Sequence, residues 1–359
     1  MSIFGLLYQA HQRKASDLHL VVGLPVTLRL HGQIEPLGSS LLDEPQVRAL
    51  LAEALGDEEM ARLDREKEID AGINVPETGR CRVAAFYEKG TLSASFRLVP
   101  TDLPSPGNLG LPAAVGYFSR LQNGLVLITG VTGSGKSTTM SVIVDQINRD
   151  RRARIITIED PVEYLHTSKR SVILQREVRL DTDSYARALR GVLRQDPDVI
   201  VIGEMRDHDT VAVALTAAET GHLVLSTLHT KTATETIQRV IDAYPANQQT
   251  QVRSQLADTL QGVVCQRLVP NKQGNGVALA FEVLIVNRPI RTMIREGRLE
   301  QIPNALLTAK DAGCCPLDHC LRYLYDQSKI DYDSAISHCH DPETFDALTG
   351  VGAPMLFTV

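Results

Sequence analysis

The chain has 359 residues, with 37 Lys and Arg against 43 Asp and Glu, a formal net charge of −6, 4% aromatic residues and no tryptophan. That length suits two domains of about 150 residues each, and 43% hydrophobic with 22% charged residues excludes disorder over most of the chain. The acidic balance and scarce aromatics argue against a nucleic-acid binder, which needs basic surface for phosphates and stacking platforms for single strands.

No apolar run reaches the ~18 residues of a membrane-spanning helix. The mildly apolar start, Met1–Ala10, runs into His11, Arg13, Lys14 and Asp17 with no small-residue cleavage site, so a cytoplasmic protein is expected. Residues 18–30 alternate loosely around Gly23 and Pro25, which predicts two short strands and a turn. Asp43-Glu44-Pro45 opens a helix with an acidic cap and a first-turn proline; Val47, Leu50, Leu51 and Leu55 lie at helical spacing, and Gly56 is the expected stop. Residues 82–87 and 92–98 read as strands. TDLPSPGNLGLP (101–112) then carries three prolines and two glycines and is the expected linker.

From Gly124 the pattern changes to short, continuously apolar runs: GLVLITG (124–130), IITI (155–158), VIVIG (199–203), LVLSTL (223–228) and, later, LAFEVLI with Val286. Amphipathic stretches separate several of them, which predicts a parallel sheet covered on both faces, with ligands at its carboxyl edge. Residues 289–359 read as short helices with polar loops, the last stretch, VGAPMLFTV, as poorly ordered. Four of the six cysteines, Cys314, Cys315, Cys320 and Cys339, lie in that tail beside His319, His338 and His340. They lack a paired C-x-x-C, so buried or free thiols are the plainer reading beside a metal site.

Gly130-Val131-Thr132-Gly133-Ser134-Gly135-Lys136-Ser137 fits G-x-x-x-x-G-K-[ST], after a predicted strand and before a predicted helix, Thr138–Asn148. The glycines let backbone N–H groups turn inward, and the helix adds its positive end. Gly130, Thr132, Gly133, Ser134, Gly135, Lys136, Ser137 and Thr138 are therefore the candidate nucleotide-binding residues. Lys136 suits the β- and γ-phosphates, and the Ser137 hydroxyl suits Mg²⁺.

Two acidic clusters follow strand-like runs: Thr157-Ile158-Glu159-Asp160-Pro161-Val162-Glu163-Tyr164, and the segment from Arg194 through VIVIG to Glu204-Met205-Arg206-Asp207. Hydrolysis needs one acid beside the metal and one to activate water. Glu204 is assigned to the metal side with Ser137, and Glu163 to the water, with Glu159 as the competing base. His222 and His229 bracket the next apolar run, and a histidine donor there would sense the γ-phosphate.

Taken together, ASDLHL (15–20), GVTGSGKST (130–138), TIEDPVEY (157–164), LRQDPDVIVIGEMRD (193–207) and TGHLVLSTLHT (220–230) resemble the secretion ATPase superfamily, specifically the PilT group of type IV pilus retraction ATPases. The resemblance spans residues 1 to about 325. It implies an α/β fold with a PAS-like N-terminal domain (1–100), the linker (101–112), a RecA-like P-loop NTPase core (113–288) and a helical C-terminal region (289–359). It also implies ATP with Mg²⁺, a homo-hexamer, and N-terminal-domain arginines that reach the phosphates, at positions matched here by Arg82 and Arg97. A further arginine of relatives is Lys89 here, a point charge that lacks the bidentate fork. The family's AIRNLIRE helix is matched by Pro289-Ile290-Arg291-Thr292-Met293-Ile294-Arg295-Glu296, with Ile290, Met293 and Ile294 on one face and Arg291 and Arg295 four apart on another. The expected partners are the inner-membrane platform protein of the pilus and a paralogous retraction ATPase, with no nucleic acid, and the expected place is peripheral at the inner membrane. A secretion or conjugation ATPase of the same superfamily is the alternative reading, and a RecA-like nucleic-acid translocase a more distant one.

Overall fold

The computed structural model describes residues 2–30, 32–76, 78–99, 103–104, 106–348 and 354. Thr101, Asp102 and Ser105 of the expected linker, and every residue of the VGAPMLFTV stretch except Pro354, lie outside them. The chain divides into two compact units, residues 1–102 with 161–166, and residues 103–160 with 167–359. Both mix helix and sheet, the class expected.

The first unit holds six strands: β1 (Asp17–Val21), β2 (Pro25–Leu30), β3 (Gln33–Leu41), β4 (Glu68–Val75), β5 (Gly79–Glu88) and β6 (Thr91–Leu98). They form one antiparallel sheet in the order β3-β2-β1-β6-β5-β4. Because side chains alternate between faces, the register row Leu28–Leu18–Phe96–Val83 lies on one face, where all four are buried. The helices Ile3–Gln12 and Glu44–Glu66 contribute Ile3, Leu7, Val47 and Leu51 to the same core. Asp43 caps the second helix reciprocally: its carboxylate accepts from the Gln46 backbone N–H at 2.8 Å, and the Gln46 amide oxygen accepts from the Asp43 N–H at 2.9 Å. The helix breaks at Gly56 (φ 76°) as expected, but a second helical stretch runs on to Glu66, carrying buried Met60 and Leu63. A glycine with positive φ turns the axis without ending the element, because the apolar spacing resumes beyond it.

The second unit holds β7 (Gly124–Thr129), β8 (Arg154–Glu159), β9 (Val172–Glu177), β10 (Val199–Ile202), β11 (Leu223–Leu228), β12 (Leu260–Pro270) and β13 (Val277–Ile285), ordered β13-β12-β7-β11-β10-β8-β9. Leu125 and Leu127 enter one core and Val126 and Ile128 the other; Ile200 and Ile202 oppose Val199 and Val201 in the same way. Both faces of the central strands are thus covered, which is why they read as unbroken apolar runs. β13 corrects the all-parallel expectation: it pairs antiparallel with β12, because only a short turn joins the two and a parallel return needs a crossover of a dozen residues or more. The C-terminal region is helical, including Arg288–Glu296, Leu317–Asp326 and Tyr332–His338. Among the described residues, no helix is long and apolar enough to cross a membrane.

Candidate functional site

The strand order places the carboxyl ends of β7, β11, β10 and β8 side by side. Parallel pairing sets them in register: Thr129 opposite Leu228, and Ile202 opposite Ser226 and Ile158. The glycine loop leaves β7 and the helix Lys136–Asp150 leaves the loop. Gly130 has φ 142°, and a Cβ there would lie 2.4 Å from the Gln266 carbonyl oxygen and 2.5 Å from Ser134 Oγ. Only glycine fits. Gly135 occupies the helix N-cap at φ 86°, a left-handed conformation that leaves the first-turn N–H groups pointing outward. Lys136 Nζ donates to the Gly130 and Val131 carbonyls at 2.9 and 3.0 Å and so lies over the loop. The Ser134 hydroxyl is buried and has no hydrogen-bond partner among the described residues. A buried, unsatisfied hydroxyl is costly, and a phosphate oxygen supplies the acceptor it lacks; these residues fit a nucleoside phosphate.

Glu204 follows β10 and is largely buried. Its Oε2 accepts from Arg206 Nε at 2.8 Å, and its Oε1 lies 3.1 Å from His229 Nε2. The carboxylate holds the Arg206 guanidinium more firmly protonated than usual. Three residues from two adjacent strand ends thus form one polar cluster. Glu159, at the end of β8, accepts from the Thr157 hydroxyl at 2.6 Å and the Gln175 amide at 3.2 Å. Glu163 is exposed and lies in the segment 161–166 that groups with the first unit. His222 is not brought to this edge. It precedes β11, where its Nδ1 lies 3.0 Å from the Ala217 carbonyl and its own carbonyl accepts from the Gly124 N–H. Seven residue steps along the strand separate it from His229, roughly 20 Å.

In the first unit Arg97 and Arg82 are cross-strand partners. Arg97 Nε donates to Asp17 at 2.9 Å, Arg82 pairs with Asp70 at 3.3 Å, and Asp17 in turn neighbours Arg29. The row Arg29–Asp17–Arg97–Arg82 therefore runs across four strands on the face opposite the core. Lys89 sits at the β5–β6 turn, well exposed and paired with Glu88. On the helix Arg288–Glu296, Ile290 and Ile294 are buried; Arg291 donates to the Ala257 and Asp258 carbonyls, and Arg295 pairs with Asp258. Arg291 thus closes the end of the helix Gln249–Thr259, whose last carbonyls lack intrahelical partners.

Two neighbours of the site were not singled out from the sequence. Arg206 lies inside the segment LRQDPDVIVIGEMRD, and its spacing two residues after Glu204 is the available signal. Tyr185 had none, because the fold alone brings it from the helix Tyr185–Val192. A Cβ on Gly203 would lie 2.7 Å from the Tyr185 hydroxyl and 3.3 Å from Glu159 Cα. Burial first, then the negative charges of Asp160, Glu159 and Glu204, push this phenol well above its ordinary range, so it remains a donor.

Among the described residues no group of three or more His, Cys, Asp or Glu is arranged to hold a metal ion. Cys314, Cys315 and Cys320 are buried thiols, and burial pushes Cys320 up to about 12.

The family model for type II/IV secretion system proteins matches residues 113–316. The Pseudomonas aeruginosa type IV pilus retraction ATPase PilT is 41% identical over 345 residues, spanning 96% of this chain and 100% of the relative. The chain belongs to this family. A twitching motility protein of Neisseria gonorrhoeae is 38% identical, across 96% of this chain and 92% of that one. A crystal structure of the pilus retraction motor PilT with bound ADP superimposes with a TM-score of 0.91 at 41% identity, covering 97% of this chain and 100% of the other. The ADP bound in that family member agrees with the phosphate fit of the glycine loop here.

Proposed function

We propose that this protein hydrolyses ATP and couples the hydrolysis to retraction of a type IV pilus, driving pilin depolymerisation and twitching motility. The observation that carries the reading is the 41% identity to a retraction ATPase across essentially both whole chains. A glycine loop whose geometry admits no other residue at Gly130 supports it.

In this reading Gly130, Thr132, Gly133, Ser134, Gly135 and Thr138 line the phosphates and Lys136 contacts the β- and γ-phosphates. Ser137 and Glu204 would hold Mg²⁺, which when bound offsets phosphate charge. Water attacks the γ-phosphorus as the bond to the β–γ bridging oxygen breaks. Its proton passes to a carboxylate, Glu163 or Glu159, and ADP and phosphate leave. His229, tied to Glu204, reports on the γ-phosphate. Arg82 and Arg97 supply guanidinium forks to developing phosphoryl charge. The working assembly is a homo-hexamer at the cytoplasmic side of the inner membrane, acting on the pilus platform protein, with a paralogous ATPase as a further partner. Its functional divisions are 1–100, the linker 101–112, 113–288 and 289–359.

Lys136→Ala tests the cradle: the protein folds and ATP turnover falls below measurement, whereas full turnover overturns the assignment. Deletion in the cell, scored for surface pili and movement, tests the direction of the motor. Excess pili with lost twitching are expected, and absent pili would make the protein an assembly ATPase.

A further inference from the structure

A cavity of about 600 Å³ lies beside the edge strand β9 and shares no lining residue with the glycine loop. Five arginines line it: Arg176 from β9, Arg179 just beyond it, Arg187 and Arg190 from the helix Tyr185–Val192, and Arg194 just beyond that helix. Asp181 and Asp183 are the carboxylates in the lining, so the cavity carries a surplus of three positive charges on a chain whose net charge is −6. Most of that surplus is unspent. Asp183 pairs with Arg187. The Asp181 carboxylate accepts the Glu177 backbone N–H at 2.8 Å, while Arg176 donates to the Asp181 carbonyl at 3.0 Å. Arg179, Arg190 and Arg194 have no ion-pair partner among the described residues. Arg187 and Arg190, three apart on the helix, turn to one side, and Arg194 lies just beyond it in the same lining. Leu180, 53% exposed, supplies an apolar part of the wall.

Converging guanidinium groups repel one another unless an anion sits among them, and their planar forks match phosphate oxygens bidentately. The volume is that of an ordinary ligand site and admits more than one phosphate. We propose that this cavity binds a ligand carrying two or more phosphate groups, at a site separate from the ATP cradle. Such a ligand is either a free polyphosphorylated molecule or a phosphate-bearing lipid headgroup.

The test uses full-length Lys136→Ala protein, so that the cradle does not dominate, and the same protein with Arg190→Ala and Arg194→Ala added. Inorganic tripolyphosphate is titrated calorimetrically, and vesicles of phosphatidylcholine with and without cardiolipin are sedimented with each protein. The parent is expected to bind one of these probes, and the added pair of substitutions to weaken that binding roughly tenfold or more, as expected on losing two charge-assisted contacts. Arginine-dependent binding of tripolyphosphate marks a free ligand; arginine-dependent binding of cardiolipin vesicles marks a headgroup. The exposed pair Arg179→Gln and Arg194→Gln repeats the measurement should the first pair unfold by circular dichroism. No binding of either probe, or equal binding by parent and variants, overturns the proposal. A changed oligomeric state in the variants with no probe bound by the parent assigns the arginines to a protein contact and overturns it too.

Discussion

Substituting Glu204 by glutamine separates the chemistry of the site from the stability of the fold. Glu204 is 17% exposed, whereas its partners Arg206 and His229 are 63% and 45% exposed. Losing the carboxylate charge therefore leaves two groups that water can solvate in place. The stability change belongs to the class of half-exposed ion pairs, about 0–1 kcal/mol, which shifts a melting midpoint by only ~2–4 °C in a domain of this size. The catalytic loss is of another order. In the proposed role beside Mg²⁺ the carboxylate would act in the transition state, and the expected hundredfold fall in turnover corresponds to about 2.7 kcal/mol. Phosphate release under saturating ATP with Mg²⁺, measured beside a thermal melt, reads both quantities on one sample. Turnover of Glu204→Gln within about threefold of the parent removes Glu204 from the chemistry. A melting point lowered by much more than the few degrees above makes it a structural residue instead.

Tyr185→Phe keeps the ring in the core and removes the hydroxyl beside Gly203 and Glu159. We expect kcat to fall roughly three- to tenfold, about 0.7–1.4 kcal/mol, with KM for ATP and the melting point unchanged. An unchanged rate would make Tyr185 a packing residue. In the first unit, burial lowers the pKa of His19 below its usual 6.5. The unfolded chain then binds the proton more readily, so stability is full above about pH 6.5 and is lost as pH falls below it. His19→Gln should flatten that decline for unfolding of the first unit, and an identical slope in the variant would assign the decline to other groups. Five of the six thiols are buried and Cys339 is half-buried, and burial raises Cys81 and Cys320 to about 12. At pH 8 a thiol reagent should label at most one cysteine quickly in the native protein and all six after denaturation; rapid labelling of three or more would contradict the packing of the tail.

The strands β7, β8, β10 and β11 and the glycine loop were legible in the sequence, because each carries its own signal. A strand buried on both faces must be continuously apolar, and a loop that wraps phosphate must be glycine at fixed positions. β9 was missed because an edge strand leaves Val172 and Leu174 exposed and mixes polar residues into the run. β12 was missed because Gln261, Gln266 and Arg267 interrupt its apolar residues. β13 was found as a run, but its antiparallel direction follows from the short turn before it. The helix Glu44–Glu66 was legible at its capped start and misread at Gly56, where a local glycine signal met a pattern that continues past it.

What the sequence determined by itself was the chemistry on offer: a phosphate loop, carboxylates after apolar runs, and paired arginines, histidines and cysteines. What only the tertiary structure decided was which of these meet. Glu204 and His229 lie 25 residues apart and touch because β10 and β11 pair in parallel, whereas His222, seven residues closer along the chain, sits near the far end of the same strand. Arg82 and Arg97 become neighbours through antiparallel register, Tyr185 reaches Gly203 through helix packing, and five scattered arginines surround one cavity. Residue type is a local property and can be read from one position; proximity depends on strand order, direction and register, which are set by burying both faces of the sheet at once.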